Sequence, residues 1–367
     1  MTAMKKNALI IAYNDLNNSG VPNVIYQTIK ALHNEFDFDV VVFNNDLFYY
    51  QKLIDEGITN VTIINWHKES KRNKLSRIIN HLVKEPKDFF RKAKKLLKEK
   101  QYSVLHSFKE YESWPFLKAA KDCGLQKRIV HTTVIHGEKE SFLVKRNKRK
   151  TLSLATEFVG VTIDACKKAW PGTNHKVIHF SYDELKYNSN KCSLKSDELV
   201  LTHVGTYSTN KNQLFSIEVL KELKLMYPKA KLQIIGAERE KGYFSKMKQY
   251  IDANGLDDWI KIIDGSLGAE KYTPSTSFYL LPSYHEGASL VVVEGQACGI
   301  KVFASYGVPQ EMNVGGITYL HLNEGAKKWA EVIFEEFKKS GNARTAYDTT
   351  SFSSENFKKN ISDLYLK

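Results

Sequence analysis

Two glutamates eight residues apart carry the clearest chemical signal in this 367-residue sequence. Glu286 lies in a polar loop after a predicted strand, and Glu294 lies in the second turn of a helix predicted to begin near Leu290. An ionised carboxylate offers only hydrogen-bond acceptors, so Glu286 suits sugar hydroxyls and Glu294 suits a ribose diol. The spacing therefore predicts a site for a ligand that is rich in hydroxyl groups.

The residues that follow Glu286 add a second kind of chemistry. They are Gly287, Ala288, Ser289 and Leu290. Backbone N–H groups at the start of a helix have no helical partner and carry the positive end of the helix dipole. A diphosphate is a natural occupant of such a position, and a glycine without a side chain lets it approach closely. The segment predicts binding of a phosphorylated sugar.

The elements that would position these residues alternate along the chain. In the first half, apolar runs predict strands over residues 8–13, 40–44, 61–65, 104–106, 129–135 and 158–162, with helical patterns over 22–33 and 86–98. In the second half, strands are predicted over residues 199–204, 231–235, 260–263, 278–281, 301–305 and 317–320, with helices over 213–227, 243–254, 290–298, 326–338 and 354–366. Such alternation is typical of doubly wound α/β domains with parallel sheets.

The pattern predicts two domains in series. They span residues 1–184 and 198–350, joined by a polar linker over 185–197, and a last helix follows over 351–367. Ligands of such sheets bind at the carboxyl ends of the strands. The sequence has no GxGxxG motif and no P-loop, so neither a dinucleotide nor an ATP fingerprint supports the assignment.

The order of several motifs resembles the retaining, GT-B-fold glycosyltransferases of family four, also called glycosyl transferases group 1. The resemblance is closest to those that build bacterial capsules and exopolysaccharides. Its segments are Glu286-x7-Glu294 with residues 296–299 and 302–305, the glycine-loop-lysine element 203–213, the strand-loop steps 234–236 and 262–265, and the strand-helix step 159–167. The resemblance implies two Rossmann-like domains facing across a cleft, with the last helix packing back on the N-terminal, acceptor-side domain.

The resemblance also implies roles for individual residues in the C-terminal half. Glu294 would hold the nucleotide ribose, and Glu286 with the amides after Gly287 would hold the donor hexose and phosphates. Lys211 would neutralise the diphosphate, and Gly205 would let it approach. Residues around Gly236 and Gly265 would frame the base.

In the N-terminal half, the resemblance is weaker. Gly20, in a loop after the first strand, matches the family's glycine loop near the donor phosphates. His131 and His136 lie at or beyond the fifth predicted strand, where the family has a histidine that contacts the donor sugar. Either could correspond to it. Glu286, Lys211, His131 and His136 are thus the predicted catalytic residues.

One position departs from the family pattern. The family has an arginine directly after the first-loop glycine, and this chain has Thr206. Stabilisation of the leaving group is a large catalytic term, so a missing cation matters. Either another basic residue such as Arg239 substitutes, or catalysis is impaired. The family's Asn-Gly signature near residues 180–183 is also absent.

Three functions remain open from these motifs. The first is a retaining transferase that moves a hexose-type sugar from a nucleotide diphosphate sugar, with UDP favoured by resemblance, to a hydroxyl of a polysaccharide or lipid-linked glycan. The second is a catalytically degenerate relative that binds a sugar nucleotide or a partner. The third is a nucleotide-sugar epimerase, whose products would form without an acceptor.

The basic charge of the chain is unevenly distributed. The net charge is +13, and from Lys68 to Lys100 there are 13 basic against 4 acidic residues, interleaved with apolar and aromatic ones. This composition suits peripheral association with an anionic membrane, which would bring the enzyme to a polyprenyl-linked acceptor. A solvated helical face is the alternative. Nucleic acid is a poorer partner because no recognised binding module is present.

No metal or other cofactor is expected. Asp37-Phe-Asp39 matches the DxD pattern of metal-dependent glycosyltransferases, but it precedes the second predicted strand, where polar residues are normal. The four cysteines are scattered and form no CxxC pair or Cys/His cluster. With no export signal or membrane span recognised, the expected location is the cytoplasm, or the inner face of the cell membrane.

Overall fold

A computed structural model describes residues 5–17, 20–66, 85–133, 140–187 and 198–367 of the chain. The chain forms two compact units, one made of Met1–Phe180 with Glu355–Lys367 and the other of Ser181–Ser354. These boundaries differ from the predicted ones. Of the predicted linker 185–197, residues 185–187 lie within the second unit and residues 188–197 lie outside the described part of the chain.

The first unit is built on a seven-stranded parallel sheet with the order β3-β2-β1-β4-β5-β6-β7. Its strands are β1 Lys6–Ile11, β2 Phe36–Val42, β3 Val61–Asn65, β4 Val104–Ser107, β5 Lys127–Thr132, β6 Glu157–Gly160 and β7 His175–Val177. Central strands of a parallel sheet are covered on both faces, so they form continuous apolar runs. Residues 8–11 of β1 are accordingly fully buried.

Helices connect these strands. They are α1 Gly20–Leu32, α2 Phe48–Asp55, α3 Glu85–Glu99, α4 Trp114–Asp122, α5 Phe142–Leu154 and α6 Ile163–Ala169. Two of them begin at side-chain caps, because Ser141 accepts a hydrogen bond from the Val144 amide and Thr162 accepts one from the Ala165 amide. No described helix is both long and apolar enough to cross a bilayer.

The second unit repeats the architecture with a six-stranded parallel sheet of order β10-β9-β8-β11-β12-β13. Its strands are β8 Val200–Val204, β9 Lys231–Gly236, β10 Ile260–Asp264, β11 Phe278–Leu281, β12 Lys301–Ser305 and β13 Ile317–Leu320. Its helices are α7 Gln213–Met226, α8 Tyr243–Ala253, α9 Leu290–Ala297 and α10 Gly325–Ser340. Two doubly wound α/β sheets confirm the predicted fold class.

Two apolar cores cover the two faces of the second sheet. Leu280 belongs to the core that contains Trp329 of α10, whereas its neighbours Tyr279 and Leu281 belong to the core that contains Val292 of α9. Successive side chains of a strand point to opposite faces, so β11 contributes to both cores. The strand order reverses between β8 and β11, and the loops that follow these two strands therefore diverge at a topological switch point.

The last helix, α11 (Ser354–Leu366), packs within the first unit. The Tyr365 hydroxyl lies 2.9 Å from Nδ1 of the fully buried His106, and the Lys127 ammonium donates to the Leu364 carbonyl at 3.1 Å. The Tyr365 ring meets Phe36 edge to face at 5.4 Å. This contact region ties the end of the chain to β2, β4 and β5.

Replacing Tyr365 with Phe is expected to destabilise the protein by roughly 1–3 kcal/mol, because His106 Nδ1 would remain buried without its partner. The measurement is the free energy of unfolding of the native protein and of the variant in urea. Leu366→Ala is the control, since that neighbouring side chain is 48% exposed. Equal stability of Tyr365→Phe and the native protein would contradict the expectation.

Candidate functional site

An ion pair joins the loops that follow β8 and β11. Lys211 Nζ lies 2.6 Å from Glu286 Oε1, and the two side chains are 21% and 7% exposed. Because these loops start at the switch point of the sheet, the pair lies where doubly wound folds bind ligands. The structure thus brings together two of the four predicted catalytic residues.

Asn210 holds the two loops in this position. Its side chain donates to the His285 carbonyl at 2.8 Å and accepts from the His285 amide at 3.2 Å, while its own carbonyl accepts from the Tyr284 amide at 2.8 Å. Asn212 adds a bond to the Pro282 carbonyl at 3.2 Å. These asparagines were missed by the sequence analysis. Their signal was the pair of amide side chains on either side of Lys211.

The Glu286 loop is also held from β12. The Glu286 amide donates to the Gly307 carbonyl at 2.9 Å, and the Ser305 hydroxyl donates to the Ser283 carbonyl. A Cβ atom at Gly307 would lie 2.3 Å from the Ser283 carbonyl oxygen. Only glycine allows this close approach, so Gly307 is a further residue on which the site depends.

Three glycines predicted for the donor site lie side by side at the carboxyl ends of β8, β9 and β10. A Cβ atom at Gly236 would lie 2.1 Å from the Gly205 carbonyl oxygen, and one at Gly265 would lie 3.0 Å from Gly236 Cα. At Gly205, a Cβ atom would contact Lys211 Cδ at 3.4 Å. Packing therefore favours glycine at positions 236 and 265, whereas a Cβ atom at Gly205 would make only ordinary contact, so ligand approach is the reason predicted for glycine there.

The start of α9 has no side-chain cap. Ser289, the N-cap residue, forms no capping hydrogen bond, although its side chain is buried. No described residue accepts a hydrogen bond from the amides of Gly287, Ala288 or Leu290. These donors therefore remain available for an anionic ligand beside Glu286.

Glu294 lies on α9 near the hydroxyl of Tyr187 and the charged side chains of three other residues. Burial raises the pKa of its carboxyl to about 7, while a hydrogen bond from Tyr187 acts in the opposite direction. The negative charges of Glu270 and Asp183 raise the pKa further, and the charge of Lys186 lowers it. Tyr187 was missed because it lies in the predicted linker. A carboxyl with this pKa titrates near neutral pH, so its hydrogen-bonding capacity changes with pH.

The remainder of the motif around Glu294 has a structural role. Gln296 is fully buried and donates to the Val292 and Met312 carbonyls at 3.0 and 2.8 Å, while its Oε1 accepts from the Val314 and Gly316 amides at 2.9 and 3.0 Å. The side-chain amide of Gln296 thus donates two hydrogen bonds and accepts two, which uses its full capacity. Gln296 thus fixes α9 to the segment before β13 and leaves no group for a ligand.

The position of the missing arginine is open to solvent. Thr206 is exposed, and its carbonyl accepts a hydrogen bond from Gln213 at 3.0 Å. The Arg239 amide donates to the Tyr207 carbonyl at 3.3 Å, which places Arg239 beside the same loop. The exposed guanidinium of Arg239 makes no ion pair within the described residues. The Arg239 backbone thus lies beside the loop that carries Thr206, and its role as the substitute cation stays a prediction.

His131 lies inside the core of the first unit. It is fully buried in β5, its Nδ1 lies 3.2 Å from His106 Nε2, and its ring stacks on Phe108 at 4.9 Å. Burial lowers the pKa of His131 to about 3, so it stays neutral. The ring does not reach solvent, and its Nε2 has no hydrogen-bond partner among the described residues, so the predicted contact between His131 and the donor sugar stays a prediction. These contacts place His131 in the core beside His106.

Two further predicted residues lie in the first unit. His136 falls outside the described residues. Gly20 is exposed at the first position of α1, and a Cβ atom there would meet nothing within 4 Å. The local packing thus does not require glycine at this position. Its predicted role at the donor phosphates stays a prediction.

The DxD-like residues lie inside β2 and not before it as predicted. Asp39 is buried and pairs with the Lys100 ammonium at 2.9 Å and with the Tyr102 hydroxyl. Asp37 accepts a hydrogen bond from Asn60 at 3.3 Å. Asp39 is thus held by partners within the unit, which gives the motif a structural explanation.

The sequence of this chain is similar to those of known glycosyltransferases. The sequence profile described as "Glycosyl transferases group 1" matches residues 187–348, which contain the Lys211–Glu286 site. The chain is similar to the capsular polysaccharide biosynthesis glycosyltransferase CapH of Staphylococcus aureus, with 23% identity over 294 residues that cover 77% of this chain and 76% of CapH.

Solved structures of the same fold are similar over nearly the whole chain. HepE of Anabaena, in a crystal structure with UDP-glucose, aligns with a TM-score of 0.71 and 15% identity over 97% of this chain and 98% of HepE. TarM of S. aureus aligns with a TM-score of 0.73 and 13% identity over 100% of this chain and 99% of TarM. At these identities the likeness shows the fold, and it confirms the predicted GT-B class.

Replacing Glu294 with Gln is expected to stabilise the protein more at pH 8 than at pH 5. The folded-state pKa of about 7 lies above the ordinary value of 4.5, so the folded protein holds a proton that the unfolded chain has released between these values. The stability that this carboxyl contributes is complete below the lower pKa and is lost as pH rises through the higher one. An amide does not titrate.

The measurement is urea denaturation of both proteins at the two pH values. Asp258→Asn, which changes an exposed carboxylate of the same unit, sets the baseline. A stability difference between Glu294→Gln and the native protein that is the same at both pH values would show that Glu294 has an ordinary pKa.

Proposed function

We propose that this chain, whose residues 187–348 match the glycosyl transferases group 1 model, is a glycosyltransferase that moves a hexose-type sugar from a nucleotide diphosphate sugar to a hydroxyl of a glycan. UDP is the favoured carrier, since the structural neighbour HepE binds UDP-glucose. The observation that carries the proposal is the Lys211–Glu286 pair at the switch point, beside the uncapped start of α9.

The diphosphate would occupy the amides at the start of α9 and contact the Lys211 ammonium. Negative charge grows on the leaving diphosphate as the glycosidic bond breaks, and preorganised donors stabilise it most in the transition state. Arg239 would supply the cation that the family places at the position of Thr206. With two cations and the helix amides, the protein's own groups could balance the charge without a metal.

Glu286 would change partners when the donor binds. It now neutralises Lys211 at 2.6 Å. Once the diphosphate takes over the ammonium, the Glu286 carboxylate can accept hydrogen bonds from the hexose hydroxyls. Glu294 would accept two hydrogen bonds from the ribose diol, for which its ionised form is required. The acceptor would then attack from the face that the diphosphate leaves, with retention of configuration.

The acceptor is proposed to be a growing polysaccharide or a lipid-linked glycan, because CapH is named for capsular polysaccharide biosynthesis. Peripheral attachment to the inner face of an anionic cell membrane would suit a lipid-linked acceptor. Two described helices support it. Helix α3 carries six basic and three acidic residues, and α5 carries five basic residues with no acidic one and begins with Phe142, which is 77% exposed.

A thermal-shift screen of nucleotide sugars tests the donor proposal. A ligand at 100 times its dissociation constant adds about 2.7 kcal/mol of stability. UDP-hexoses are expected to stabilise the native protein, and Lys211→Gln is expected to reduce the stabilisation strongly. Transfer assays with Glu286→Gln as control then report turnover. Binding without turnover would favour a degenerate relative, and a new sugar nucleotide formed without an acceptor would favour an epimerase.

Replacing Arg239 with Gln is expected to lower kcat by about 100-fold, as expected for the loss of one group that stabilises a leaving anion. Adding Thr206→Arg to that variant should restore part of the rate, because the exposed Thr206 position has room for the family's arginine. The assay is steady-state transfer with Lys241→Gln as control, since Lys241 is an exposed cation nearby. If Arg239→Gln keeps the native rate, Arg239 is not the substitute.

A further inference from the structure

Tyr187 is a buried titratable residue of the second unit that has no role in the proposed handling of the donor. Its side chain is 7% exposed and belongs to the same apolar core as Val292 and Val293 of α9. Its amide and that of Lys186 both donate to the Asp183 carbonyl at 3.0 Å, which fixes the local backbone as a turn. A buried tyrosine usually has a partner for its hydroxyl, so the partner of Tyr187 is informative.

The partner of this hydroxyl is the carboxylate of Glu294. The Tyr187 hydroxyl faces Glu294 and donates a hydrogen bond to it. Burial, followed by the charge of Glu294, raises the pKa of Tyr187, so the hydroxyl keeps its proton and remains a donor. Within the part of the chain that the structure describes, no other side chain donates to this carboxylate. Tyr187 is thus the described polar contact that orients the Glu294 side chain.

The backbone that carries Glu294 is also fixed. A Cβ atom at the next residue, Gly295, would lie 2.3 Å from the Tyr279 ring, so α9 packs directly on that ring. Ordering a glutamate side chain costs rotamer freedom, and a hydrogen bond made before the ligand arrives removes part of that cost from binding. Glu294 is only partly buried, so a ligand can reach it. An ionised carboxylate has about four acceptor positions, so one bond from Tyr187 leaves room for both hydroxyls of a ribose diol.

The groups around Glu294 act on its ionisation in opposite directions. Burial favours the neutral form, and the negative charges of Glu270 and Asp183 do so too. Lys186 favours the ionised form, but its Nζ lies 3.7 Å from Asp183 Oδ2 and 4.0 Å from Glu270 Oε1, so it is shared between those carboxylates. The hydrogen bond from Tyr187 is the strongest of the influences that favour ionisation.

We propose that Tyr187 is a positioning residue for the donor ribose, because its hydroxyl holds the Glu294 carboxylate ionised and oriented to accept both hydroxyls of the diol. The inference rests on the proposed function, in which Glu294 binds the ribose. A 2′-deoxyribose offers one hydroxyl fewer, so the preference for ribose over deoxyribose depends on Tyr187. The preference also depends on pH, because a protonated carboxyl has lost part of its capacity to accept hydrogen bonds.

Binding of UDP and of its 2′-deoxy analogue dUDP tests the proposal. The full chain is titrated calorimetrically with each nucleotide at pH 6, 7 and 8.5, and the two dissociation constants are compared as a ratio, which cancels the titration of phosphate and base. In the native protein, the preference for UDP is expected to grow as pH rises through about 7, where Glu294 ionises.

In Tyr187→Phe, the preference for UDP at pH 7 is expected to fall by roughly fivefold, because loss of a charge-assisted hydrogen bond raises the pKa of Glu294 and leaves less of it ionised. Most of the preference should return at pH 8.5, where the carboxyl of the variant also ionises. Glu294→Gln is expected to show little preference at any of the three pH values, because an amide does not titrate.

Tyr182→Phe is the matched control. Tyr182 is 9% exposed in the same apolar core as Tyr187, and its hydroxyl lies 2.9 Å from the Thr349 hydroxyl. The substitution therefore removes a buried tyrosine hydroxyl that is bonded to a residue other than Glu294. It is expected to keep the native preference for UDP at every pH.

Two charge substitutions separate this role from a purely structural one. Lys186→Gln removes a cation that favours ionisation of Glu294 and is expected to lower the preference at pH 7. Glu270→Gln removes a competing negative charge and is expected to raise it. The two side chains are 53% and 26% exposed, so neither substitution opens the core. Damage to the fold would not reverse its effect with the sign of the charge that is removed.

The outcomes distinguish this proposal from the proposed function. If the native protein binds neither nucleotide, or binds both equally at pH 8.5, the donor assignment fails and the role of Tyr187 fails with it. If the native protein prefers UDP and Tyr187→Phe keeps that preference at every pH, only the role of Tyr187 is overturned. It is also overturned if Tyr187→Phe loses the preference equally at all three pH values, because that pattern reports damaged packing and not a change in ionisation.

Discussion

The ion pair between Lys211 and Glu286 is the constraint on which the second unit's site depends. The residues are 75 positions apart in sequence and meet because β8 and β11 are neighbours in the sheet. Leaving the buried Glu286 carboxylate without its partner would cost on the order of 3–5 kcal/mol. A ligand can therefore replace Glu286 as the partner of Lys211 favourably only if the ligand is itself negatively charged. A nucleotide diphosphate sugar offers a partner to each residue. Its diphosphate can pair with the Lys211 ammonium, and its sugar hydroxyls can donate hydrogen bonds to the Glu286 carboxylate.

Most of this arrangement could be predicted from the sequence, because its signals are local. Apolar runs separated by helical patterns located every strand of both sheets except β7, and the glutamate spacing located the loop and the start of α9. β7 was missed because it has three residues, of which only Val177 is apolar. Helices α2, α4 and α5 were not among the predicted helices. In α2 the short sequence presents little amphipathic pattern, with only Tyr49 and Leu53 buried.

What could not be predicted depends on contacts between distant segments. His131 would lie near the end of an apolar strand whether it contacted a ligand or belonged to the core. Only its packing against Phe108 and His106 shows that its ring is enclosed. The polar composition around Tyr187 indicated a linker, yet the folded chain turns this tyrosine to Glu294. In each case the chemistry is set by neighbours that sequence spacing does not reveal.

Hydrogen exchange of the backbone amides tests the central claim most directly. When UDP-glucose, or whichever nucleotide sugar stabilises the protein, is added, the amides of residues 287–290 should exchange more slowly, together with those of the loop 205–211. Both segments would be covered by the phosphates and by the lysine that holds them. A nucleotide sugar that binds tightly while these two segments exchange as fast as in the free protein would contradict the account.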